Sequence, residues 1–252
     1  MGQERIIHAA LLGAGTVGSG VYKLVKDLEE EIISKTGARL VVDKILVRDT
    51  TKAREGIPSE LLIDRWDEIL NDPQIEIVIE VMGGIRPALT WLEEALRAGK
   101  QVVTANKDLL AEYGEQLFDA AEAGKCDLHF EAAVAGAIPI IRPLRQSLVA
   151  SELTEVMGIV NGTTNYILTR MTEDGMGYEE ALALATKLGY AESDPTADVE
   201  GYDAGRKVAI MASIAFNSNV TFSQVYTEGI THITAEDIRY AKEFGYVIKL
   251  IG

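Results

Sequence analysis

One cysteine in 252 residues leaves no disulfide partner and excludes a CxxC metal or redox pair. Cys126 stands in Gly-Lys-Cys-Asp-Leu-His-Phe, entering an apolar run, and reads as a strand-edge residue rather than a nucleophile. The histidines are His8, His129 and His232, too scattered for zinc spacing. No apolar stretch approaches the roughly 20 residues of a membrane span. Residues 1–12 carry an apolar run, but a glycine-rich turn follows where a signal peptide would have its cleavage site. Positive charge is also scarce. Lys and Arg number 24 against 39 Asp and Glu, a net charge of −15, which argues against a nucleic-acid or anionic-membrane partner. A local basic pocket is still allowed. What remains is ordinary globular composition, 47% hydrophobic and 25% charged. The expectation is a soluble, cytoplasmic protein acting on a small molecule.

Residues 1–132 alternate strand and helix patterns. Strand-like runs cover Ile6–Leu12, Leu40–Val47, Ile75–Val81, Gln101–Thr104 and Leu128–Phe130. Helical spacing covers Val17–Lys35, Trp66–Leu70, Pro87–Ala98 with Gly99 at its end, and Asp108–Ala123 ended by Gly124. This rhythm predicts an α/β fold, a doubly wound parallel sheet of Rossmann type. From residue 133 the rhythm changes. Helices are expected at Pro139–Leu148, from Tyr166, at Tyr178–Leu188 and at Asp203–Phe216. A strand is expected at Leu153–Val160 and a turn at Asn161-Gly-Thr-Thr-Asn. The second domain, 133–252, is therefore expected to be α+β.

Gly13-Ala-Gly15-Thr16-Val17-Gly18 fits G-x-G-x-x-G between the first strand and the first helix. Gly13 serves the tight turn, Gly15 lets a pyrophosphate approach the backbone, and Gly18 allows close packing. The second strand ends in Val47-Arg48-Asp49, with Lys52 and Arg54 close behind. Cations there favour a 2′-phosphate, hence NADP, while Asp49 keeps NAD open. The next two strands end at Glu80-Val-Met-Gly83-Gly84 and Val103-Thr104-Ala-Asn-Lys107. Ligands on such sheets lie beyond the carboxyl ends of the strands, so Lys107 is placed toward the nicotinamide.

Between Gly189 and Lys207 the chain carries Tyr190, Glu192, Asp194, Asp198, Glu200, Asp203 and Arg206. Asp203 and Lys207 are four apart at the start of an apolar helix, so they share a face. Burial and carboxylates act on such a lysine in opposite directions, which suits proton exchange with a substrate oxygen. A carboxylate such as Glu192 suits a substrate ammonium.

Five ordered motifs together resemble the homoserine dehydrogenase family. They are the Gly13–Gly20 loop, Val103-Thr-Ala-Asn-Lys107, Glu131-Ala-Ala-Val-Ala-Gly-Ala-Ile-Pro-Ile-Ile, Gly158-Ile-Val-Asn-Gly-Thr-Thr-Asn-Tyr-Ile-Leu, and Leu188-Gly-Tyr-Ala-Glu-Ser-Asp-Pro running on to Asp203-Ala-Gly-Arg-Lys207. The resemblance implies NAD(P)H-dependent reduction of L-aspartate 4-semialdehyde to L-homoserine, and the reverse, in threonine and methionine biosynthesis. It implies that Lys207 is the proton donor and that Lys107 meets cofactor and substrate. Glu192 would bind the amino end, with Asp198 and Asp203 orienting substrate and lysine. Gly162, Thr163 and Tyr190 would line the substrate pocket. Gly13, Gly15, Thr16, Val17, Gly18, Arg48, Gly83, Thr104 and Lys107 would hold the cofactor. A sodium ion would fall on Glu131 and the carbonyls of Val134, Gly136 and Ile138. The second domain would also form a homodimer.

The chain ends at Tyr246-Val-Ile-Lys-Leu-Ile-Gly252. The family's catalytic region continues further, so a C-terminally incomplete second domain is expected. A phosphorylating semialdehyde dehydrogenase needs a thiolate that Cys126 does not supply. A non-catalytic NADP-binding module is the alternative from another class.

Overall fold

The structure, a computed structural model, describes residues 5–252. Contacts divide it into two compact units, Met1–Ala133 and Val134–Gly252.

In the first unit the strands are β1 (Arg5–Leu12), β2 (Ala38–Leu46), β3 (Leu62–Ile63), β4 (Ile75–Glu80), β5 (Gln101–Thr104) and β6 (Leu128–His129). They form one sheet in the order β3-β2-β1-β4-β5-β6, and every pairing is parallel. The chain runs outward from β1 to one side, then restarts at β4 on the other. The crevice of a doubly wound sheet therefore opens at the C-terminal ends of β1 and β4. The last four residues of β1, Ala9–Leu12, are fully buried, as expected for a strand covered on both faces. The two-residue β3 was not legible. It is too short to show a period.

The helices of this unit are α1 (Thr16–Asp27), α2 (Glu29–Thr36), α3 (Asp67–Leu70), α4 (Ala88–Arg97) and α5 (Lys107–Gly124). The expected single helix Val17–Lys35 is two, broken at Leu28, whose φ of −108° and ψ of 21° lie outside the helical well. The break places Glu29, Glu30 and Glu31 in a first turn, where the helix dipole favours negative charge. Gly124 does not end α5 by left-handed geometry. Lys125 is the left-handed cap, with φ 55°. Gly124 is instead a packing residue, since a Cβ on it would lie 1.8 Å from the Leu96 carbonyl oxygen of α4.

In the second unit the helices are α6 (Gly162–Asp174), α7 (Tyr178–Lys187), α8 (Thr196–Val199), α9 (Tyr202–Ala215) and α10 (Ala235–Glu243). Ile167, Leu168 and Met171 of α6, Ala181 and Ala185 of α7, and Ile238 of α10 share one core. The expected turn at Asn161 is the start of α6, because the Asn161 side chain caps that helix. The expected helix Pro139–Leu148 shrinks to a π-helical turn at Pro143–Ser147 with two helical residues before it. The expected strand Leu153–Val160 forms no ladder among the described residues. Its backbone instead exchanges a reciprocal pair of hydrogen bonds, each 2.9 Å, between Gly158 and Gly252. A strand is defined by its neighbours, which a local pattern does not report.

Candidate active site

The glycine loop leaves β1 and enters α1. Gly13 has φ 100°, and a Cβ there would lie 3.0 Å from the Met82 side chain. A Cβ on Gly18 would lie 2.1 Å from the Gly13 carbonyl oxygen, so only glycine closes this turn. Gly15 differs, because nothing lies within 4 Å of a Cβ built on it. That open side faces the start of α1, which no side chain caps and whose first turn holds no acidic residue. Gly15, Thr16 and Val17 are all exposed. An uncapped helix start beside an open glycine is a cradle for phosphate oxygens.

Arg48 lies two residues past the end of β2, is exposed, and has no ion pair or hydrogen bond among the described residues. Its neighbour Asp49 is committed. Asp49 Oδ1 accepts hydrogen bonds from the Thr51 hydroxyl at 2.6 Å and the Thr51 amide at 2.9 Å. Those bonds hold the Asp49 carboxyl below its ordinary range.

At the end of β4 stands Glu80, fully buried. Its Oε1 accepts from the amides of Met82 at 2.8 Å and Gly83 at 3.0 Å, and its Oε2 from the Thr104 hydroxyl at 2.6 Å. Thr104 Oγ1 in turn accepts from the Asn106 amide at 3.0 Å. The Asn106 side chain donates to the Gly84 carbonyl at 2.6 Å. One carboxylate thus fixes both loops at the crevice edge, including Gly83 with its φ of 73°. The Thr104 side chain is buried and spent on Glu80, so the hydroxyl expected at a cofactor is turned inward. Lys107 is the first residue of α5 and half-buried.

The second unit contains an open cleft of about 670 Å³. Its lining includes Gly162, Thr163 and Tyr190, and at its polar end Asn161, Asp198, Asp203 and Lys207. Lys207 Nζ donates to Asp203 Oδ2 at 2.6 Å and to the Val160 carbonyl at 2.7 Å. The side chains of Lys207 and Asp203 are only 16% and 10% exposed. A lysine has three N–H donors, and these two bonds leave one to offer. Tyr190 is fixed twice. Its carbonyl accepts from the Thr163 hydroxyl at 2.8 Å, and its ring lies 4.6 Å from that of Tyr166. Glu192 is exposed on the following loop and is not among the residues lining the cleft.

Two family profiles together match most of the chain. "Homoserine dehydrogenase, NAD binding domain" covers residues 13–131 and "Homoserine dehydrogenase" covers 139–252. The homoserine dehydrogenase of Bacillus subtilis is 48% identical over 98% of this chain and 58% of its own length. The crystal structure of a homoserine dehydrogenase from Thiobacillus denitrificans superposes with a TM-score of 0.92 at 45% identity, over 98% of this chain and 57% of that one. A putative homoserine dehydrogenase from Archaeoglobus fulgidus superposes with a TM-score of 0.85 at 34% identity, over 98% of this chain and 79% of that one. The chain belongs to the homoserine dehydrogenase family. It spans a little under three fifths of the Bacillus subtilis relative.

Two residues of the site carry no site signal in the sequence pattern around them. Glu80 looked like one more position of a β-rich run, and Asn161 like a turn residue. The signal for Asn161 was its place one residue before a helix, where asparagine is a preferred cap. The segment with the sodium candidates shows a different feature. Ala135 and Ala137 have φ of 51° and 67°, the left-handed region that costs a non-glycine residue about 1–2 kcal/mol. Val134 is buried, while Ile138 is exposed and its amide bonds the Ala135 carbonyl. Glu131 lies in a 3₁₀ turn, Glu131–Ala133. Among the described residues no three His, Cys, Asp or Glu side chains group together, and the sodium candidates are one carboxylate and three backbone carbonyls. That chemistry fits a hard monovalent cation rather than a transition metal.

Proposed function

We propose that this chain is the cofactor-binding and catalytic part of a homoserine dehydrogenase, interconverting L-aspartate 4-semialdehyde and L-homoserine with NADP(H). The observation that carries the reading is Lys207, held in the cleft by Asp203 and the Val160 carbonyl with one N–H left to donate.

The cofactor residues are proposed as follows. The amides of Thr16, Val17 and Gly18 take the pyrophosphate beside Gly15. Arg48 takes the 2′-phosphate, since Asp49 is occupied by Thr51. Gly83 and Lys107 stand at the crevice edge that Glu80 and Thr104 hold in shape. When bound, reduced nicotinamide supplies a hydride.

The chain's own residues do the rest. Negative charge growing on the substrate carbonyl oxygen meets the Lys207 ammonium, which stabilises it and then transfers a proton to it. Asp203 keeps that ammonium aimed. Gly162, Thr163 and Tyr190 bound the substrate, and Asp198 orients it. Glu192, exposed beyond Tyr190, binds the substrate ammonium. A sodium ion at the 131–138 segment and a homodimer complete the proposal. The dimer reading is supported by Met157 and Ile159, exposed in the segment before α6. A cytoplasmic location agrees with the absence, among the described residues, of a helix long and apolar enough to cross a membrane.

The test is loss of reduced-nicotinamide absorbance when the chain meets NADPH and aspartate semialdehyde, with NADPH binding measured alongside. Turnover supports the reading. Binding without turnover favours the alternative, a non-catalytic NADP-binding module.

A further inference from the structure

Asn161 caps α6, and its side chain has a second set of contacts that a cap does not need. Its Oδ1 accepts from both the Thr164 amide and the Thr164 hydroxyl, each at 2.8 Å. Its Nδ2 donates to Asp198 Oδ1 at 2.7 Å and to Asp203 Oδ2 at 2.9 Å. The orientation of the amide follows from its neighbours. Turned over, it would set an oxygen against two carboxylates and an NH₂ against the Thr164 amide N–H. Both Nδ2 protons are therefore committed, one to each acid.

The consequence is electrostatic as well as geometric. Two carboxylates sharing one nitrogen lie within about 6 Å of each other, close enough to repel. The amide protons between them offset that repulsion. Asp203 Oδ2 also accepts from Lys207 at 2.6 Å, so the oxygen that aims the lysine is itself aimed by Asn161. Asn161 is 5% exposed, and Asp203 7%. Few waters can replace a lost donor there, so solvent substitutes poorly for the Asn161 amide.

We propose that Asn161 is a positioning residue: it clamps Asp198 and Asp203 and, through Asp203, sets the direction of the Lys207 ammonium. This goes beyond the assignment of Lys207 as proton donor and rests on it for the effect on turnover. The clamp itself does not depend on that assignment.

The test separates the cap from the clamp. Asn161→Ser keeps an oxygen to accept from the Thr164 amide but offers no pair of protons to the carboxylates. Lysine ammonium signals are followed by NMR in full-length protein carrying ¹⁵N-lysine, with the Lys207 signal assigned by its loss in Lys207→Met. The expected result for Asn161→Ser is at least tenfold faster hydrogen exchange at Lys207 and at least tenfold lower kcat, with NADPH affinity within twofold. An unchanged Lys207 signal overturns the clamp, whatever happens to turnover. Faster exchange with unchanged kcat upholds the clamp and removes Lys207 from the chemistry, a failure of the functional reading alone. If Asn161→Ser does not fold, Asn161→Asp is used. It keeps the acceptor for Thr164 and sets a third carboxylate oxygen against the other two. It is expected to lose at least as much, and wild-type exchange in that variant equally overturns the clamp.

Discussion

Lys207 Nζ sits 2.6 Å from Asp203 Oδ2, one turn along the same helix. On an exposed helix such a pair is worth a few tenths of a kcal/mol. Here both side chains are mostly buried, and the acid also accepts from Asn161. Removing Asp203 leaves the buried Lys207 ammonium without its acid, which costs about 3–5 kcal/mol. Asp203→Ala is therefore expected to lower the unfolding midpoint of the second unit as well as kcat. Asp203→Asn keeps the shape and an acceptor oxygen but removes the charge, so it is expected to lose less stability than Asp203→Ala and still lose turnover. Thermal unfolding beside steady-state kinetics checks both.

The glycine loop gives a contrast between two neighbours. Gly18→Ala forces a methyl to within 2.1 Å of a carbonyl oxygen, so the loop must move. Overpacking of this kind costs about 1–3 kcal/mol. Gly15→Ala meets nothing in the protein and should leave the unfolding midpoint nearly unchanged. Both are expected to weaken NADPH binding at least tenfold. For Gly15→Ala the loss comes without destabilisation, because the methyl occupies space reserved for phosphate. Calorimetric unfolding and NADPH titration distinguish the two.

On the proposed reading, Arg48 sets the cofactor preference. Arg48→Ala is expected to weaken NADPH about 10- to 100-fold, the loss of one charged hydrogen-bonding partner at about 1.5–3 kcal/mol. NADH binding should change less than threefold. Equal losses for the two cofactors count against a 2′-phosphate contact.

Glu80 is a structural keystone for the crevice. Glu80→Ala strands the Met82 and Gly83 amides and the Thr104 hydroxyl, three donors that one carboxylate now satisfies. At about 1–3 kcal/mol for each buried unsatisfied group, a loss of several kcal/mol is expected. Urea unfolding of the first unit reads it. A change of less than about 1 kcal/mol shows that water reaches these donors freely.

Much of the first unit was legible because strands buried on both faces leave continuous apolar runs, as at Ala9–Leu12 of β1. The glycine loop was legible because its glycines answer steric demands that no other residue meets. The break at Leu28 was not, since the apolar spacing runs through it and only the Glu29–Glu31 cluster hints at a new helix start. The end of α5 misled for a related reason: Gly124 is there to let α4 approach, and its neighbour Lys125 turns the chain. In the second unit the Asp203–Lys207 pair was legible from spacing alone. Asn161 was not, because its partners Asp198 and Asp203 lie 37 and 42 residues away. The strand pattern at Leu153–Val160 did not become a strand, since pairing depends on what lies alongside.

The most direct measurement is single-turnover oxidation of NADPH by aspartate semialdehyde, comparing the wild-type protein with Lys207→Ala at matched NADPH saturation. General acid catalysis by a positioned side chain contributes about 10²–10⁴-fold. A fall in the hydride-transfer rate of that size, with the NADPH dissociation constant within twofold of wild type, is the predicted result. A rate within threefold of wild type contradicts the assignment and takes Lys207 out of the reaction.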